Sequence, residues 1–206
     1  MIRLRAPLLQ CVLFASMGLI LMAAAKPIDE AQLSKALAKY HSIEKLKVGF
    51  KQKKFLKDMN MSLESEGVLS LMPPSLVIYQ LTKPAPMKVT LDPEQIKIEN
   101  GSGSDAKVQI IKTSTIPGES EKRNLKAMVT WLKMDPHALA GEYEISESEK
   151  NHYLFRPHDS TSAFQSLEME LGKSGHVSHL IMKEQSGDRI EFFFETPQIN
   201  YQHSVK

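Results

Sequence analysis

The sequence predicts a mainly β protein built on a single curled antiparallel sheet covered by α-helices. Three observations predict it. From residue 46 onward, short stretches alternate apolar and polar residues with the period of two that lines one face of a strand. Proline- and glycine-bearing turns separate these stretches at short intervals, the spacing of a meander. Two stretches break the pattern with a helical period, one at the start and one in the middle of the chain.

The chain has 206 residues, room for one domain behind a leader. Its 42% apolar and 24% charged content, with a mean hydropathy of -0.26, excludes both a polytopic membrane protein and a disordered chain. Residues 1–25 differ from the rest. Arg3 and Arg5 precede an apolar core from Val12 to Met22, and Ala23, Ala24 and Ala25 stand before Lys26, the layout of a cleaved export signal. The expected division is therefore a signal peptide over 1–25 and one domain over 26–206. The competing reading is an uncleaved anchor, since Leu8 to Ala25 approaches the ~20 residues that span a bilayer.

Cys11 is the one cysteine and lies in that leader, without the small residue that precedes a lipidated cysteine. A chain cut after Ala25 has no thiol chemistry and no disulfide, so its stability rests on burial and sheet bonding. Cleavage leaves 24 bases and 24 acids. That balance gives no electrostatic footprint for a nucleic acid.

The first helix is carried by Leu33, Ala36, Leu37 and Tyr40, with Ile43 continuing the stripe. Leu46, Val48 and Phe50 then alternate with Lys47, Gly49 and Lys51 as a half-buried strand. Further strands are expected over Leu63–Met72, Leu76–Thr82, Met87–Leu91, Gln95–Asn100 and Lys107–Lys112. Pro73-Pro74, the prolines at 84 and 86, and Asp92-Pro93 separate them, since proline cannot donate to a ladder. Asn100 to Ser104 is a flexible connection. It lacks the Gly-Lys-Ser/Thr ending of a phosphate loop.

A second helix is expected from Glu119 to Met134, with Leu125, Met128, Val129 and Leu132 on one stripe and Trp131 beside it. Asp135-Pro136 ends it, because the residue before proline avoids helical angles. Strands at Glu142–Ser146, Tyr153–Arg156, Phe164–Leu171, Val177–Glu184 and Arg189–Glu195 complete the sheet. A curled sheet has one concave face, and both helices can cover it. Such stripes are more often plain core than the wall of a ligand pocket.

Several stretches taken in order resemble a known family. Ser42 to Gln52 is similar to a segment in which a Ser near the helix end precedes a Phe-x-Gln opening the first strand. Gly67 to Leu71, Pro74 to Tyr79 and Lys83-Pro84 are similar to a run of Gly-x-Leu, Arg-Pro-x-x-Phe-x-Trp and a downstream proline. Tyr153 to Pro157, Leu167 to Gly175 and Ser186 to Arg189 resemble its later hairpins. The family is that of the bacterial outer-membrane lipoprotein carriers of the LolA type.

The resemblance implies an unclosed half-barrel under a helical lid, located in the periplasm of a diderm bacterium. It also implies an activity that is carriage, not catalysis. The cavity would hold the acyl chains of lipoproteins or lipids received from an inner-membrane lipoprotein-releasing transporter and passed to an outer-membrane acceptor. No cofactor, metal or nucleic acid is implied, and the expected state is a monomer. By carry-over, Leu46, Phe50, Val77 and Tyr79 line the cavity, and Leu125, Met128, Val129 and Leu132 close it from the lid.

Departures from the family pattern point to a divergent member. The family's arginine falls on Pro73, its two aromatics on Val77 and Tyr79, and its Asp-Gly turn on Asp92-Pro93. Six residues remain after Asn200, so the family's terminal strand and loop are expected to be missing. A carrier of another acylated molecule and a periplasmic lipid-sensing regulator therefore stay open.

Enzymatic constellations are weak. His176 and His179 are three apart on an alternating strand, hence on opposite faces. His152, Arg156, His158 and Asp159 could gather at a strand end. Ser160 and Ser162 have no nucleophile elbow and no base. Glu168 and Glu170 share a solvated face opposite Leu167, Met169 and Leu171. The run Lys45, Lys47, Lys51, Lys53, Lys54 and Lys57 reads as a solvated face or as a surface for acidic lipid or an acidic partner.

Overall fold

The computed structural model describes residues 25–73, 75–116, 130–131 and 133–201. Thirteen strands form one antiparallel sheet. After β1 (Lys26–Pro27) and helix α1 (Glu30–Ala36), β2 (Ile43–Leu56) and β3 (Met61–Met72) make a long hairpin. β4 (Leu76–Lys83), β5 (Met87–Leu91), β6 (Gln95–Asn100) and β7 (Lys107–Lys112) continue that wing as a meander.

Helix α2 (Pro136–Glu142) leads into the second wing. It comprises β8 (Tyr143–Glu149), β9 (His152–Pro157), β10 (Phe164–Leu171), β11 (Val177–Glu184) and β12 (Arg189–Phe194). The order across the sheet is β1-β8-β9-β10-β11-β12-β2-β3-β4-β5-β6-β7, with β13 (Gln198–Tyr201) also on β2. β1 and β7 stay unpaired to one another, so the curl does not close into a barrel. The expected class, one open antiparallel sheet with helices on it, is the observed one.

The joint between the wings is β12 against β2, where Phe194 faces Phe50 and Phe192 faces Gln52. Strict alternation then places a single apolar set on the concave face. It runs from Ile145 and Phe155 through Leu167, Met182 and Ile190 to Phe50, Leu69, Tyr79, Val89 and Ile98.

Three elements differ from the sequence expectation. The first helix is shorter than its stripe. Asp29 caps it, accepting from the Gln32 N–H at 2.8 Å while its own N–H donates to the Gln32 side chain at 3.0 Å. After Ala36 the chain tightens into a 3-10 turn at Ala38–Tyr40, and Ile43 already belongs to β2, opposite Tyr201. Leu33 and Leu37 are nonetheless fully buried.

Secondly, Asp135-Pro136 both ends one helix and starts another. Met134 turns to a positive φ of 49°, and Asp135 caps α2 by accepting from the His137 N–H at 3.0 Å, with Pro136 in the first turn where its missing N–H costs nothing. The Asp-Pro pair carried that start signal as well as the stop. Thirdly, Gln198–Tyr201 does form a strand, paired with Lys47, Leu46, Lys45 and Ile43. Pro197 masked it, although proline is tolerated just before a strand.

The main core lies where α1 and α2 cover the second wing. Leu33, Leu37, Leu139, Phe155, Leu167 and Met169 are at most 2% exposed there. Trp131, helical in conformation, sits edge-on to Phe155 at 4.5 Å and to Tyr143 at 5.6 Å. A smaller core of Ile43, Leu46, Val48, Leu71, Val77 and Leu91 closes one end of the first wing.

Candidate functional site: an apolar cavity on the concave face

Between these cores the concave face is not filled. A cavity of about 520 Å³ is bounded by Phe50, Leu69, Val77, Tyr79, Met87, Val89 and Leu91 from the first wing. Phe164, Leu167, Leu180, Met182, Ile190, Phe192 and Phe194 bound it from the second, and Trp131 reaches in from the helical side. Apart from the Tyr79 hydroxyl and the Trp131 indole N–H, these side chains carry no polar atom.

The aromatic wall at the joint follows from strand pairing. Phe50 stacks on Tyr79 at 5.0 Å with planes 17° apart and meets Phe192 edge-on at 5.6 Å. The strand between Phe50 and Tyr79 is β3, and at the crossing it carries Gly67, opposite Phe50. A β-carbon there would fall 2.7 Å from the Phe50 ring. Glycine is what lets the ring lie flat across β3 and reach Tyr79.

The one polar contact in the wall is also an assembly of three strands. The Tyr79 hydroxyl donates to Gln52 Oε1 at 2.5 Å, and the Ser65 hydroxyl donates to the same oxygen at 3.3 Å. Burial pushes the Tyr79 phenol up to about 12, so it stays a neutral donor throughout the physiological range.

Of the residues expected in the lining, Phe50, Val77 and Tyr79 stand in the cavity wall. Leu46 does not. It points to the same side as Phe50 but lies four residues nearer the closed end, where Leu71 and Val77 pack on it. There it borders a separate void of about 70 Å³ with Tyr40, Met134 and His176. The expected lid residues Leu125, Met128, Val129 and Leu132 lie outside the described residues. Their neighbours Thr130 and Trp131 are helical and buried.

Sequence reasoning missed Leu69, Val89, Leu180, Met182, Ile190 and Phe192 as wall. Their alternation was visible; the pairing of β12 with β2 that brings them together was not.

The small void contains a buried polar group. His176 is 6% exposed, edge-on to Tyr40 at 5.6 Å, and neither ring nitrogen has a hydrogen-bond partner. Burial, with Lys39 adding to it, holds its pKa below the usual 6.5. Tyr40 is raised to about 12 by burial, and its hydroxyl oxygen accepts the Val177 N–H at 2.8 Å.

The catalytic alternatives do not assemble. His179 is on the outer face, stacked on Phe193 at 4.6 Å and bonded to Glu191 at 2.8 Å, while His176 is inside. His152 faces Glu170 at the start of β9, and His158 follows the far end of that strand, so the two do not gather. Glu168 meets Lys183 at 2.6 Å on the solvated side. Among the described residues no group of three His, Cys, Asp or Glu side chains is placed to hold a metal ion, and no helix is long and apolar enough to cross a membrane.

Comparison with known proteins identifies one family. The model of the family described as "Outer membrane lipoprotein carrier protein LolA" matches residues 41–206. No curated protein matches the sequence. Among solved structures, a LolA superfamily protein from Nitrosomonas europaea is similar at 9% identity and a TM-score of 0.43, over 85% of this chain and 96% of that one. A DUF1329 family protein from Desulfovibrio piger is similar at 7% identity and a TM-score of 0.44, over 88% and 95%. A chain of the Pseudomonas aeruginosa MucA/MucB complex is similar at 13% identity and a TM-score of 0.43, over 86% of this chain and 59% of that one. These likenesses are coarse, and the family match is the finding that counts.

Proposed function

The chain belongs to the LolA family of outer membrane lipoprotein carrier proteins, and on that premise we propose that it shelters acyl chains in the concave cavity and carries lipoproteins across the periplasm from the inner to the outer membrane. The observation that supports this reading is a space of about 520 Å³ walled by apolar side chains beside a buried apolar core. An empty apolar cavity forfeits packing and hydration energy together. Each methylene that enters it from water gains about 0.8 kcal/mol.

Size sharpens the cargo. An apolar cavity of about 150 Å³ takes benzene, or ~25 Å³ per carbon, so the observed volume corresponds to roughly twenty carbons. That is one long acyl chain. The size favours a second reading alongside the first: the cargo is an acylated molecule that offers one chain at a time, which suits a divergent member of the family. Release requires the helical cover to open at modest cost, and the lid role of Leu125, Met128, Val129 and Leu132 belongs to this proposal. So do export by a signal peptide over residues 1–25, loading by an inner-membrane transporter and delivery to an outer-membrane acceptor.

The test is mass spectrometry of organic extracts from protein purified from the periplasm, beside a Val77→Glu variant that puts a carboxylate into the wall. Acylated cargo in the wild type that is depleted in the variant supports carriage and identifies the class. A wild type that is empty, and that takes up no acylated peptide when offered it, overturns the proposal.

A further inference from the structure

The closed end of the concave face holds a polar group that no described residue answers. His176 stands just before β11 and lines the void of about 70 Å³ beside the cavity. It is 94% buried, and among the described residues neither ring nitrogen has a hydrogen-bond partner. Such a group is rare inside a protein, because burial without a partner is costly.

The void adjoins the acyl cavity. Leu69, Trp131, Leu180 and Phe194 border both spaces. Leu69, Leu180 and Phe194 are half-buried side chains on the concave face, so what parts the two spaces there is side chain and not strand backbone.

Three features select an occupant. The first is size. At ~25 Å³ per carbon the void admits roughly three non-hydrogen atoms, which suits a hydroxyl-bearing chain end and excludes a peptide or a phosphate head. The second is charge. Burial, with Lys39 adding to it, keeps the ring neutral, so it presents one donor and one acceptor. No charged side chain lines the void, and Lys39, whose stem lies beside Gly175, is exposed and outside the lining. A carboxylate entering the void would therefore lose its hydration without gaining a counter-ion. The third is the rest of the wall. Beyond His176 its side chains offer only the Tyr40 hydroxyl, which already accepts the Val177 N–H, and the Trp131 indole N–H. A lone water finds few partners there, whereas a hydroxyl carried by a long chain brings an apolar remainder that fills the adjoining cavity.

We propose that the small void is the head-group subsite of the cavity, in which His176 hydrogen-bonds the hydroxyl at the end of a single-chain lipid whose alkyl chain lies in the cavity. The assignment rests on the acyl-binding reading and narrows it to ligands that end in a small uncharged hydrogen-bonding group. His176 is the residue that sets this preference.

The experiment is displacement of a fluorescent apolar probe, N-phenyl-naphthylamine, by dodecane, dodecanol and dodecanoate at pH 8. Each ligand is delivered from cyclodextrin to the wild type, His176→Leu and His176→Gln, whose folding is checked by melting temperature. The quantity read is the alcohol-to-alkane affinity ratio of the wild type divided by that of the Leu variant, which cancels the ligands' own solubilities. It is expected to be about fivefold or more, the worth of one net hydrogen bond. The Gln variant keeps a donor and an acceptor and should recover part of it, and dodecanoate should show no comparable gain. In the wild type, the nitrogen-15 shifts of the His176 ring should move with dodecanol and stay with dodecane. A ratio near one, a gain for dodecanoate equal to that for the alcohol, or ring shifts that ignore bound dodecanol because His176 meets water only, each overturns the proposal. If all three ligands bind without regard to residue 176, the acyl-binding reading survives alone. A wild type that binds none of them removes both.

Discussion

Two regions of the concave face carry the same kind of residue and do opposite things with it. Under α1 and α2, Phe155 and Met169 are at most 2% exposed and form an ordinary core. Farther along the same face, Tyr79 and Val89 are only half-buried, and with Phe192 across the joint they stand in the wall of a cavity. Among the described residues, what separates wall from core is therefore how closely neighbours pack on them, and no property of the side chains themselves distinguishes the two.

Paired truncations test that contrast with the largest expected effect. Phe155→Ala should cost about 3–5 kcal/mol of unfolding free energy, the range for deleting a ring from a packed core. Phe192→Ala, whose ring already borders empty space, should cost less than half of that and change acyl-chain uptake instead. Urea unfolding of the two variants measures it. Equal losses of stability would mean that the cavity wall is packed as tightly as the core and that the contrast between core and wall is false.

The sequence made the alternation of both wings legible, down to most strand bounds, because period two survives in the residues themselves. It could not tell wall from core. Leu46 and Phe50 are four apart on one strand, both apolar and facing one way, yet one is sealed by Leu71 and Val77 and the other looks into the cavity. The wall around Phe50 is completed by Phe192 and Phe194 through the pairing of β12 with β2 across some 140 residues of chain, which leaves no local trace. β13 is hidden by Pro197, which stands directly before it. By contrast, α2 carries local signals, since its cap Asp135 and its first-turn proline are both in the sequence.

A smaller effect follows from the gap that keeps the aromatic wall flat. Gly67→Ala would place a methyl group against the Phe50 ring and the Gln80 carbonyl, so either β3 or the ring must shift, at about 1–3 kcal/mol for an overpacked site. The displaced ring has room on the cavity side. Uptake of a long acyl chain should therefore fall several-fold, while a short-chain ligand is held nearly as before. Titration with fatty acids of graded length checks this. Undiminished long-chain binding would show that Phe50 and Tyr79 do not set the depth of the cavity.

The smallest expected effect belongs to the void beside the cavity. The folded state holds the His176 pKa below 6.5 through burial, with Lys39 adding to it, so near pH 6 the unfolded chain binds more protons than the folded one. Stability contributed in this way is fully present above about pH 6.5, declines as the pH falls below it, and levels off once the pH is under the folded value. His176→Leu removes the titrating group and fills its place with an apolar side chain, which leaves no unpartnered ring nitrogen. The variant should melt at or above the wild-type temperature at pH 7.5, and its advantage should widen between pH 6.5 and pH 5. A difference between the two proteins that stays constant over that interval would show that His176 finds a proton acceptor in solution, and that the small void is as polar as the large one is apolar.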